Sequence, residues 1–268
     1  VTPPPADTDT LLWLRSPETA RRLALTFDDI AADLYWMRAV VHYGSERRGP
    51  AEKARYALLY PLLELTTSLD PHFDVAARLG AIFLSEGFPG GPGRPDQAIA
   101  LLRKGLAHDP GHWQYVHDIG FVEYWWLHDY TAAAGHFREA AAMPGAPVWL
   151  ETLAATTMLQ GGDRTSARTL WTELRENAEA DWIRQAAEYR LAQLRALDEI
   201  DALQAIVVKY RVQTGAPPAS WQAMVAAGLL PGVPMDPSRA PYAIGVDGQV
   251  TLGPGSTLGP LPTFEAPR

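Results

Sequence analysis

Five of the seven histidines in this 268-residue chain lie between His108 and His136, with Asp109, Asp118, Glu123 and Asp129 among them. Imidazoles mixed with carboxylates are the raw material of a metal centre, but a metal needs three or four ligands converging at about 2 Å. Asp109-Pro110-Gly111 separates His108 from His112, and a proline there breaks helical i,i+4 pairing. His112 and His117 stand at a spacing that matches no ligand motif. These side chains read as surface or structural histidines. Asp28, Asp29 and Asp33 lack the glycine bend of a calcium loop. They read as acids placed at the positive end of a helix. There is no Gly-x-Ser-x-Gly, no His-Glu-x-x-His and no cysteine. No catalytic residue, cofactor site or metal site is expected.

The elements that carry these residues are helices. The pattern is plainest from Asp70 to Pro110, between the pairs Asp70-Pro71 and Asp109-Pro110. Ala76, Leu79, Gly80 and Phe83 mark a first helix. A Gly/Pro-rich turn follows over 87–95, and Ala98, Leu102 and Gly105 mark a second helix. Upstream, Ile30, Leu34, Met37, Val40 and Val41 recur at helical spacing over 27–42. Gly44 and Gly49-Pro50 form the turn, and a further helix is expected over 51–69, with Pro61 as a kink or break. Downstream come Val116, Ile119, Gly120 and Tyr124, then Ala133, Phe137 and Ala140. Tyr124 stands one place late, which implies an inserted residue. A fourth pair carries Trp149, Leu150, Leu153 and Ala154, the turn Gly161-Gly162-Asp163, and Ala167, Trp171 and Leu174.

Small residues where two helices touch, with a proline ending the second, resemble the tetratricopeptide repeat. The Asp-Pro pairs are 39 residues apart against the usual ~34, a difference that the enlarged 87–95 turn absorbs. The resemblance implies an all-α superhelical solenoid of about four helix-turn-helix repeats over 26–198, protein–protein interaction, and no catalysis.

A Pro-rich arm over 1–25 precedes this region. Pro3, Pro4 and Pro5 favour an extended polyproline II segment, and Leu11, Leu12, Trp13 and Leu14 form an apolar plug after it. The plug either packs on its own first repeat or enters a groove on a neighbouring subunit. Thr2, Thr8 and Thr10 beside the prolines are candidate O-glycosylation positions if the protein is exported. The chain opens on Val1 rather than Met, which reads either as loss of a leader or as trimming.

Residues 199–268 form the remaining region. A longer helix begins at Asp181 with Ile183, Ala187, Leu191, Leu194 and Leu197 inward, and a further helical pattern continues through Ile200 and Tyr210 and stops at Thr214-Gly215 and Pro217-Pro218. A short helix capped by Ser220 ends at Gly228, and Asp247-Gly248 joins two strand-like runs into a hairpin. Thr214-Gly215, Pro217-Pro218, Asp236-Pro237 and Pro241-Tyr242 resemble the C-terminal part of type II secretion pseudopilins and type IV pilin-like proteins. That likeness implies a small α/β cap, followed by an extended tail that carries Phe264.

Composition bounds the rest. A formal charge of −8 argues against a nucleic-acid partner. No apolar run reaches the ~20 residues of a membrane span. Aromatic residues are the strongest binding lead. Most belong in the core, but Trp125 and Trp126 cannot both face one way on a helix. One of the two is expected at a groove or interface, where it would suit a peptide, a surface carbohydrate or another subunit. The chain therefore reads as a non-enzymatic scaffold. The first reading is an exported protein of the exterior, cell surface or periplasm that polymerises head to tail into a filament. The alternative is an adaptor gripping a peptide or a secretion/pilus component. Interface candidates are Pro3, Pro4, Pro5, Leu11, Leu12, Trp13, Leu14, Trp125, Trp126 and Phe264.

Overall fold

A computed structural model describes residues 27–50, 55–178 and 180–262. Thr2, Pro3, Pro4, Pro5, Thr8, Thr10, Leu11, Leu12, Trp13, Leu14 and Phe264 lie outside the described residues. Regular structure here is mostly helical: ten α-helices, one π-helical turn and one two-stranded sheet among the described residues. No described helix is long and apolar enough to cross a membrane. The chain divides into two compact units, up to Thr157 and from Met158.

In the first unit, α1 (Asp28–Arg48) begins on Asp28 and Asp29 and ends on Arg47 and Arg48, charges that oppose the helix dipole at both ends. It continues through Gly44, and the turn falls at Gly49, whose N–H donates to the carbonyls of Ser45 and Glu46. Its buried face is Ala32, Tyr35, Ala39, His42 and Tyr43. The stripe of Ile30, Leu34, Met37, Val40 and Val41 points to solvent instead. Small alanines and flat tyrosines let α2 approach closely, so the branched and long apolar residues were left on the far side.

Helix α2 (Leu59–Leu69) starts later than the apolar pattern suggests. Pro61 stands in its first turn, where a missing N–H removes no helical hydrogen bond. Helix α3 (Asp74–Ser85) and α4 (Pro95–His108, with Pro95 at its first position) pack on each other. In the turn between them, Arg94 N–H donates to Leu84 O at 2.7 Å, and Pro89 O accepts from Tyr56 Oη at 2.6 Å. Helix α5 (Trp113–Val122) packs on α4 and on α6 (Tyr130–Ala141). A Cβ on Gly105 would lie 2.6 Å from Tyr115 Cε1, so only glycine admits this α4–α5 approach. One apolar core runs from α1 to α5. Helix α7 is Trp149–Gln160.

Between α5 and α6 the chain makes a π-helical turn, Glu123–Leu127, closed by His128 at φ 52°. One extra residue in a helix is what such a turn accommodates. Tyr124, which stands one place late in the sequence pattern, lies in this turn.

In the second unit, Asp163 caps α8 (Arg164–Asn177) by accepting from Ser166 N–H at 2.9 Å. Helix α9 (Asp181–Thr214) packs on α8 and is tied to it by Arg164 to Asp201 and Arg168 to Asp198. Position 198, where the sequence suggests a change of region, lies inside this unbroken helix. Gly215, left-handed at φ 80°, ends it. Ser220 caps α10 (Trp221–Ala226). Strands β1 (Ala243–Ile244) and β2 (Val250–Thr251) pair antiparallel across the Asp247-Gly248 turn. Gln204 on α9 holds this hairpin beside its turn with both ends of its amide, donating to Gly248 O at 3.0 Å and accepting from Val250 N–H at 2.9 Å. Leu203, Val207, Trp221, Met224, Tyr242 and Val250 form the core beneath it.

Candidate functional site

Helix α3 carries apolar residues on two sides. Ala76, Ala77, Gly80, Ala81 and Leu84 face inward, while Val75, Leu79 and Ile82 face outward. The outer set lines a groove of about 380 Å³ whose opposite wall is α5, through His117, Asp118, Phe121 and Val122. Its polar element is a chain of three groups. Arg78 Nε donates to Asp118 Oδ2 at 2.5 Å, and Asp118 Oδ1 lies 2.8 Å from His117 Nδ1. Both carboxylate oxygens are therefore engaged, and the groove presents mostly hydrocarbon to anything that enters.

The α5 wall continues as a ladder of rings at i,i+4 spacing. Trp113 and His117 have centroids 6.2 Å apart, His117 and Phe121 6.3 Å, and Phe121 and Trp125 6.2 Å. Trp149 meets His117 edge-on at 5.8 Å. Trp125 is 56% exposed, whereas Trp126 packs against the main core. The two tryptophans thus diverge as adjacent residues must. Tyr35, Tyr115 and Trp171 are buried. Half-buried rings ending in exposed Trp125, beside aliphatic side chains, can hold an apolar chain segment by contact.

The histidines pair off separately. His112 Nδ1 lies 3.1 Å from Asp109 Oδ2, and His136 Nδ1 lies 2.7 Å from Glu123 Oε2. Among the described residues no three His, Asp or Glu side chains converge as a metal site would require. Glu123 is buried, and its hydrogen bond holds the His136 pKa above the ordinary value. Burial lowers that of His42 against the opposing pull of Glu46. Tyr115 is pushed up to about 12, first by burial and then by Asp74 and Asp109.

Val75, Leu79, Ile82 and Phe121 were not singled out as a binding surface by the sequence pattern. Their signal was present: apolar residues at i, i+4 and i+7 on α3, besides the small residues that face the core. No protein-family model, curated protein or solved structure matches the chain.

Proposed function

We propose that this chain is a non-enzymatic, tetratricopeptide-like scaffold whose helix pairs stack as a solenoid, and that it binds an apolar segment of a protein partner in the α3–α5 groove. The observation that carries this reading is the aliphatic row of exposed Val75 and Leu79 and half-buried Ile82, which lines one groove with Phe121. Solvating such a row is unfavourable by ~25 cal/mol per Å² of apolar surface, and a matching chain recovers that term.

The test is panning a random peptide library on the full-length protein, followed by titration of selected peptides. Peptides rich in Leu, Ile and aromatic residues are expected. Leu79→Ser and Phe121→Ser should each weaken them at least about tenfold, which is ~1.4 kcal/mol, with an unchanged circular dichroism spectrum. Failure to enrich any peptide, or binding that survives both substitutions, removes the proposal.

A second reading is an exported protein whose copies assemble head to tail, with the pilin-like C-terminal region as a cap or contact. What favours it is the exposed apolar face of α1, a surface that a neighbouring copy could cover. Negative-stain electron microscopy over a concentration series tests it. Regular filaments would establish assembly, and only monodisperse particles at high concentration would exclude it.

A further inference from the structure

The outward stripe of α1 ends in a charge. Phe27, Ile30, Leu34, Met37 and Val41 follow one another at steps of three and four, opposite buried Ala32, Tyr35 and Ala39. Ile30 is 65% and Val41 69% exposed. The next steps along this seam are Gly44 and Arg48, and Arg48 Nε donates to Gly44 O at 3.1 Å. An arginine therefore lies along the C-terminal end of an otherwise apolar stripe, while exposed Asp29 and Asp33 stand near its N-terminal end. A seam with 3–4 spacing is a surface on which a second helix lies lengthwise.

The charges decide what that helix is. With Asp29 and Asp33 towards one end and Arg47 and Arg48 at the other, α1 is complementary to itself turned end over end. Along one flank Asp33, Val40 and Arg47 stand seven residues apart, so a two-fold axis at Val40 sets Asp33 of each copy against Arg47 of the other. A parallel pair would instead stack Arg48 on Arg48 within the seam, bring the two acidic ends together and align the two macrodipoles. Arg38, on the opposite flank near the axis, is held over its own Tyr35 ring at 5.7 Å.

We propose that two copies of this chain pair through the outward stripes of α1, antiparallel about a two-fold axis at Val40, with Asp29 and Asp33 of each beside Arg47 and Arg48 of the other. A contact that uses the same patch on both copies closes after two, so it gives a dimer. Copies that also polymerise would do so through another surface. One helix face per copy, about 31 Å long at 1.5 Å per residue, belongs with the small interfaces below about 1,200 Å² in total, so the dimer should dissociate on dilution. The contact is separate from the α3–α5 groove and stands or falls independently of peptide binding there.

Sedimentation of the full-length protein over a concentration series reads the assembly state. A reversible monomer–dimer equilibrium is expected, weakened at least about tenfold by Leu34→Asp. Asp33→Arg and Arg47→Asp should each weaken it severalfold, and the two together should restore it, with circular dichroism unchanged throughout. The absence of cysteine lets one introduced thiol report the geometry. A short bis-maleimide should join copies carrying Val40→Cys and leave Ile30→Cys unjoined, because an antiparallel pair holds the two positions 30 roughly 30 Å apart at 1.5 Å per residue. A monomer at every concentration, a dimer indifferent to Leu34→Asp, a charge swap without recovery, or equal joining at positions 30 and 40 overturns the proposal.

Discussion

Arg78 on α3 and Asp118 on α5 are 40 residues apart in sequence, yet the guanidinium donates to the carboxylate at 2.5 Å. The pair spans one edge of the candidate groove, so it sets the spacing of the two helices whose outer faces form the walls. Both side chains keep some contact with water, at 34% and 18% exposure, which limits the strength of the bridge. In a double-mutant cycle, Arg78→Ala and Asp118→Ala should each cost about 1–2 kcal/mol, with a coupling of about 0.5–1 kcal/mol. Denaturant unfolding measures all three. A coupling near zero would mean that apolar contacts alone set the groove width.

Two glycines on neighbouring helices should respond in opposite directions to the same change. A Cβ at Gly105 meets the Tyr115 ring at 2.6 Å, and Tyr115 is itself buried. Gly105→Ala must push α4 from α5, at about 1–3 kcal/mol for overpacking, which outweighs the ~1 kcal/mol that alanine contributes within a helix. At Gly135, on the exposed side of α6, nothing lies within 4 Å of the added carbon. Gly135→Ala keeps only the helical gain and should stabilise by up to about 1 kcal/mol. Thermal melts of the two variants against the parent decide the matter.

The same packing explains what the sequence could and could not disclose. Gly80, Gly105 and Gly120 were readable because they fall at the small-residue positions of the repeat pattern, and at each a Cβ would meet a facing side chain within 3 Å, at Leu63, Tyr115 and Phe137. The Ser220 cap, the stop at Gly228 and the Asp247-Gly248 turn were readable because each rests on local backbone chemistry. The inner face of α1 was not, because alanine and tyrosine form it while the stronger hydrophobes face outward. Periodicity locates an apolar stripe but does not tell which side a neighbour occupies. The groove was hidden for a related reason: Leu79 fits a repeat's core pattern and yet stands 42% exposed on a second apolar face. Arg78–Asp118 and Gln193 with its tail are long-range pairings that leave no local mark.

Two histidines should give stability opposite dependences on pH. The Glu123 hydrogen bond raises the His136 pKa above 6.5, so its stabilisation is fully present below pH 6.5 and is lost as pH rises through the folded value. His42 is depressed by burial, so its contribution is present above pH 6.5 and is lost as pH falls towards the lower folded value. Melting temperature measured from about pH 5 to pH 8 should therefore change slope on substitution. His136→Gln should remove a decline on the alkaline side. His42→Gln should remove one on the acid side. Unchanged profiles in both variants would mean that neither ring shifts on folding.

One amide makes the shortest hydrogen bonds to the last described stretch of chain. Gln193 Nε2 donates to Leu258 O at 2.7 Å and to Pro260 O at 2.8 Å, while its Oε1 accepts from Arg190 at 2.9 Å. Gln193 and Leu258 are both buried. Replacing the amide by Leu would keep the volume but strand two carbonyls, at about 1–3 kcal/mol for each one left buried and unpaired. The chain can escape that cost by releasing the tail to water, so the penalty cannot exceed the free energy that seats the tail. Gln193→Leu should therefore lower the global unfolding midpoint only slightly and sharply increase proteolytic cleavage near 253–262. Leu258→Ala should do the same by removing the apolar half of the contact. Gln204→Leu is the contrast, because its partners Gly248 and Val250 belong to the hairpin over the buried Trp221–Tyr242 core. Those groups have no cheap route to water, so this change should reduce cooperative unfolding stability by about 2–4 kcal/mol. If Gln193→Leu proved as costly as Gln204→Leu, the tail would have to be counted as part of the core itself.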